Sequence, residues 1–148
     1  MVQFHRLIVT ALVIQFGVNV VWENLQLGIF EGYTPVWQGG TLCLLGPLGD
    51  TLFAGIAYGV LALWKRDWAW LARATGRDLL LVGLLGLAWG WASELVATNT
   101  GLWTYRPGVA TLGGSAYGPL VELALTTPLA FALAQVIVRP PWSPPFRI

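Results

Sequence analysis

Apolar residues dominate four long stretches of the chain, at about residues 7–30, 40–64, 79–98 and 117–138. A hydrocarbon core about 30 Å thick needs roughly 20 apolar residues in a helix to cross it, so each stretch predicts a membrane-spanning helix. The second is the least regular, because Gly46, Pro47 and Gly49 interrupt its first half. Such breaks survive in a bilayer only where other helices or water satisfy the freed backbone groups. Pro128 predicts a kink in the fourth, where it frees the carbonyl of Ala124. The expected fold class is all-α: residues 1–148 form one integral membrane bundle of four transmembrane helices.

Composition supports this reading. The 148 residues are 56% hydrophobic and only 10% charged, against about a quarter charged in a soluble domain. That excludes a disordered chain, a nucleic-acid binder with a basic face and an ordinary soluble enzyme. One cysteine (Cys43) and one histidine (His5) exclude an internal disulfide and a Cys- or His-based metal cage. Cys43 reads as a packed small residue, since no His or Lys lies near it in sequence to activate it.

Orientation follows from the basic residues. Arg6 precedes the first span, Lys65, Arg66, Arg73 and Arg77 separate the second and third, and Arg139 and Arg147 follow the fourth. The other two connections hold Arg106 alone. Positive charge favours the cytoplasmic side, so both termini are expected in the cytoplasm, as in a multi-pass protein of the plasma (inner) membrane. The first span lacks a small-x-small cleavage site and reads as retained. Residues 65–78, with Trp64, Trp68 and Trp70 around them, suit an aromatic anchor at the cytoplasmic interface. Gly76 and Asp78 suggest a turn and an N-cap for the third span. Residues 99–116 read as a Gly-rich loop on the opposite side, and 139–148 as a Pro-rich cytoplasmic tail.

Four acidic residues fall inside the spans: Glu23, Asp50, Glu94 and Glu122. On the translocon scale each costs about 2.5–3.5 kcal/mol at a helix centre. With the orientation above, all four lie in the outer half of the bilayer, which points to one shared polar chamber open to the exoplasmic side. Gln15, Asn19, Trp22, Glu23 and Gln26 recur at spacings of three and four and so form one stripe. Asn19 sits one turn below Glu23 and is placed to hydrogen-bond it. The amides alone would serve as interhelical glue, but clustered carboxylates cost more than glue returns. Gly55/Gly59 and Gly86/Gly90 are G-x-x-x-G pairs, read as intramolecular packing surfaces.

Paired carboxylates in a low-dielectric site repel and are expected to share a proton, which makes an acid–base couple. Glu23 and Glu94 are the candidate acid and base, with Asp50 and Glu122 tuning them. Trp22, Trp89, Trp91, Trp103 and Tyr105 can supply π faces that stabilise cations. Asn19 and Gln26 can orient a substrate, and Arg106 can meet a lipid phosphate. The other use of such carboxylates is to bind a hard divalent cation. No other cofactor is expected.

The Trp22-Glu23 pair, Asp50 after Gly49, and Glu94-x6-Gly101-Leu102-Trp103-x-Tyr105 with Pro119 beyond it resemble a pattern in small uncharacterised bacterial polytopic membrane proteins. More distantly, the third block is similar to membrane-integral carotenoid hydratases and lycopene cyclases. The Trp-Glu pair is similar to one in membrane-integral fungal terpene cyclases. These resemblances imply acid-initiated cyclisation, hydration or isomerisation of a lipid-soluble isoprenoid. The chain lacks the Pro-x-Glu-Glu/Asp motif of the heterodimeric lycopene cyclases. Two other readings stand beside this one. The first is a non-catalytic accessory subunit with other membrane subunits as partners. The second is a small proton- or cation-coupled carrier, which would need a homodimer.

Overall fold

In the computed structural model, residues 2–38, 40 and 42–138 are described. Four long helices carry the chain: α1 (Val2–Gln26), α2 (Leu42–Lys65), α3 (Gly76–Thr100) and α4 (Tyr117–Val138). All four are long and apolar enough to cross a membrane. At 1.5 Å per residue, a helix of this size extends about 33–37 Å. The one small sheet among the described residues pairs β1 (Thr111–Leu112) with β2 (Ser115–Ala116). Gly113 and Gly114 connect them with φ values of 58° and 89°, as a two-residue hairpin turn with two positive φ angles requires. The tail 139–148 and the side chain of Cys43 lie outside the described residues.

Helix order around the molecule is not chain order. α4 packs against α3 and α1, α1 packs also against α2, while α2 and α3 touch little. The series α2–α1–α4–α3 therefore leaves a cleft between its two ends. The cleft holds about 290 Å³ and is lined by Val60, Leu61 and Trp64 of α2 and Leu81, Leu84 and Leu85 of α3. Further along the same two helices Phe53 and Trp89 meet, their ring centroids 5.5 Å apart.

α3 approaches α4 on glycines. A Cβ on Gly86 would lie 2.5 Å from the Leu123 carbonyl oxygen, and one on Gly90 would lie 3.3 Å from those of Pro119 and Leu120. At Gly83 the neighbour is the Ala124 carbonyl, whose oxygen would stand 3.0 Å from an added methyl. That carbonyl is the group that Pro128 frees. The Gly86/Gly90 pair is thus an intramolecular packing surface as expected. The Gly55/Gly59 pair is not, because nothing lies within 4 Å of a Cβ at either position.

Three further expectations need correction. α2 is continuous through Gly46, Pro47 and Gly49. Pro47 stands in the second turn, where its ring interrupts only the start of the hydrogen-bond ladder. The N-cap of α3 is Thr75, not Asp78. Asp78 is its capping-box partner: its Oδ2 accepts from the Thr75 N–H at 2.9 Å and the hydroxyl at 3.1 Å. Trp70 is not an interfacial anchor. It is 1% exposed, stacks on Tyr58, meets Phe131 edge-on and donates its indole N–H to the Tyr58 carbonyl. Trp64 and Trp68 do stay exposed.

Parts of α1 and α4 bury polar side chains and expose apolar ones. Along α1 the buried stripe Leu7, Ala11, Gln15, Asn19 turns polar, while Val9, Val13, Val21 and Leu25 face outward. Along α4, Glu122, Thr126, Thr127 and Gln135 are buried while Leu125, Leu129, Val136 and Ile137 are exposed. In water that arrangement would lose hydrophobic free energy. With hydrocarbon outside, the exposed apolar side chains cost nothing.

Candidate functional site

The chain divides into two zones along the helices. Near the α2–α3 connection the interior is apolar, built on Leu7, Tyr58, Trp70, Leu71, Val82 and Phe131. That connection also carries Lys65–Asp78 and Arg73–Asp67, each paired at 2.5 Å. Gln135 of α4 ties it down by donating to the Leu71 carbonyl at 2.5 Å. The other end holds the acids: Glu23 comes late in α1 and Glu94 late in α3, while Asp50 and Glu122 come early in α2 and α4.

Three of the four acids meet. Glu23, Asp50 and Glu122 each offer a carboxylate oxygen, and the three oxygens lie within 4.8 Å of one another. Gln26, one turn beyond Glu23, donates its amide to Glu122 Oε2 at 3.0 Å and to Glu23 Oε2 at 3.5 Å. Its carbonyl oxygen accepts from the Trp22 indole at 3.1 Å, which fixes the way the amide points. Gln15, lower on the same stripe, donates to the Thr126 hydroxyl at 3.2 Å. Asn19 faces Asp50 rather than Glu23, and neither of its amide atoms completes a hydrogen bond among the described residues.

Glycines let these side chains converge. A Cβ on Gly46 would collide with Glu23 Oε1, and one on Gly118 would stand 2.8 Å from Gln26 Oε1. Each lies one turn before an acid, as does Gly90 before Glu94: Gly46-x3-Asp50, Gly118-x3-Glu122, Gly90-x3-Glu94. Helical side chains lean toward the N-terminus, so an acid covers the turn before it. A glycine in that turn leaves room for a partner from the next helix. Gly46 and Gly118 are not among the sequence candidates for the site, although the repeated spacing is visible in the chain.

Glu94 stands beside the trio with partners of its own. Its Oε2 accepts from the Tyr105 hydroxyl and, at 3.3 Å, from the Trp103 indole. The Tyr105 oxygen also accepts from the Ala116 N–H at 3.1 Å, at the entrance to α4. Burial first, and then the Glu94 carboxylate, push the Tyr105 phenol up to about 12. The loop reaches Glu94 because Gly101 ends α3 with φ 71°. The Leu102 N–H returns to the Ala97 carbonyl at 2.9 Å, the glycine-dependent reversal that stops a helix. Residues 104–106 then zip onto 29–31: Glu31 N–H donates to Thr104 O and Arg106 N–H to Ile29 O. Phe30, absent from the sequence candidates, stacks on Tyr105 and meets Trp103 edge-on.

The remaining candidates stand apart. Trp89 packs on Phe53. Trp91 donates to the Gly113 carbonyl of the hairpin. Arg106 Nε donates to the Phe30 carbonyl at 2.9 Å, so it buttresses the loop.

The chain matches no protein-family model, no curated protein and no solved structure.

Proposed function

We propose that this is a multi-pass membrane protein of the plasma membrane, with both termini cytoplasmic, that carries out acid–base chemistry on a lipid-soluble substrate. One observation carries the reading: four intramembrane acids gather at one end of the helices, three with oxygens within 4.8 Å and the fourth bonded to a phenol. Isolated acids serving as glue have no need to meet. Glu94 and Tyr105 form the proton-transfer pair, since a carboxylate and a phenol sharing a hydrogen bond can pass a proton in either direction. Glu23, Asp50 and Glu122 supply negative charge that stabilises a cationic intermediate. The apolar cleft between α2 and α3 suits the alkyl chain of an isoprenoid arriving from the bilayer, with Phe53 and Trp89 between it and the acids.

The test is extraction of the protein in mild detergent, native mass spectrometry, and chemical analysis of the lipid that accompanies it. A bound isoprenoid is the expected result, converted by wild type and left unconverted by Glu94→Gln and Glu23→Gln of unchanged melting temperature. Conversion at wild-type rate by both variants would overturn the reading. A second reading, an accessory subunit, is favoured by Gly55 and Gly59 of α2, where an added Cβ would meet nothing within 4 Å among the described residues. Stoichiometric protein partners released by Gly59→Leu would support it.

A further inference from the structure

The acidic trio poses a charge problem that no basic side chain among the described residues answers with an ion pair. Like charges this close repel strongly in a medium of low dielectric constant. Both ion pairs found among the described residues lie at the opposite end. Gln26 contributes a neutral amide donor. Asp50 Oδ2 and Glu122 Oε1 stay buried with no hydrogen-bond partner among the described residues.

Asn19 is the independent sign. It is 0% exposed, it faces Asp50, and both its amide oxygen and its amide nitrogen lack a partner among the described residues. Buried amides are nearly always satisfied. An unsatisfied one beside Asp50, a member of the trio, marks a place where something else bonds.

We propose that Glu23, Asp50, Glu122 and the amide oxygen of Asn19 bind one hard divalent cation of the size of Ca²⁺. Every donor in the set is oxygen, which hard cations take and soft metals do not. Two oxygens on opposite sides of a cation at about 2.4 Å stand about 4.8 Å apart, and the three carboxylate oxygens lie within that distance of one another. Mg²⁺ keeps several waters and takes all-protein oxygen cages less readily. α1 supplies two donors, α2 one and α4 one, so the ion fastens three helices together. Three carboxylates against a divalent ion leave one negative charge beside Glu94. The cation is therefore compatible with the acid–base reading but does not rest on it.

The experiment is calcium titration calorimetry of the full chain in an uncharged detergent after treatment with EDTA. One Ca²⁺ binds per chain and raises the melting temperature. Asp50→Asn and Glu122→Gln each weaken binding by about tenfold or more, as does Asn19→Leu. Glu31→Gln, on the loop after α1, binds as wild type does. If folded wild type takes up neither Ca²⁺ nor Mn²⁺ to saturation, or if both carboxylate variants bind as tightly as wild type, the proposal is wrong. The wild-type titration decides even where a variant fails to fold. Turnover of a lipid without Ca²⁺ uptake would sink the cation alone, and Ca²⁺ uptake without turnover would sink the acid–base reading alone.

Discussion

The hydroxyl of Tyr105 donates to Glu94 and accepts from the Ala116 N–H, so one oxygen joins α3, the loop and the start of α4. Tyr105→Phe removes both bonds and should lower stability by about 1–3 kcal/mol. If the pair transfers protons, the same change should cut turnover by roughly a hundredfold or more. The phenol also sets a direction for pH. Its value in the fold is about 12 against an ordinary 10, so the fold favours the protonated form. The stability this contributes is whole below pH 10 and drains away as pH rises from 10 through 12. Thermal melting of wild type against Tyr105→Phe across that range checks it. The variant should show a shallower alkaline slope than wild type.

Two G-x-x-x-G pairs of identical spelling behave oppositely at the scale of helices. A methyl on Gly86 would press on the Leu123 carbonyl at 2.5 Å, and backbone does not yield as a side chain does. Gly86→Ala should therefore separate α3 from α4 and destabilise the protein by about 1–3 kcal/mol. Gly55→Ala meets open space and should be neutral, or stabilising by up to about 1 kcal/mol through helix propensity. Denaturant titration in detergent compares the two. The contrast also marks what the sequence can tell. Span positions are legible because twenty apolar residues in a row have one use in a helix, and α4 begins and ends where its pattern does. The gathering of Glu23, Asp50 and Glu122 follows from their positions along alternating helices. What a glycine or tryptophan faces is decided by helix order, which no local pattern encodes. So Trp70, a basic-loop tryptophan by sequence, turns out to plug the core, and Asn19 faces Asp50 of a different helix rather than its own neighbour Glu23.

For the molecule as a whole, the apolar zone and the acidic zone are separable. Trp70→Ala should cost about 3–5 kcal/mol, because the indole fills space between Tyr58 and Phe131. It should nonetheless leave chemistry at the acids intact in the protein that remains folded. Melting temperature and turnover, measured on the same sample, would show the two effects apart. Helix order has another consequence, which concerns synthesis at the ribosome. Of these four helices α1 is made before the others, yet it finds about half of its packing only against α4. Until α4 emerges, Gln15 lacks Thr126 and Gln26 lacks Glu122, and the polar stripe of α1 faces lipid or the translocon. The nascent chain carries this unsatisfied helix through the synthesis of α2 and α3, so the packing of α1 is completed only once α4 is made.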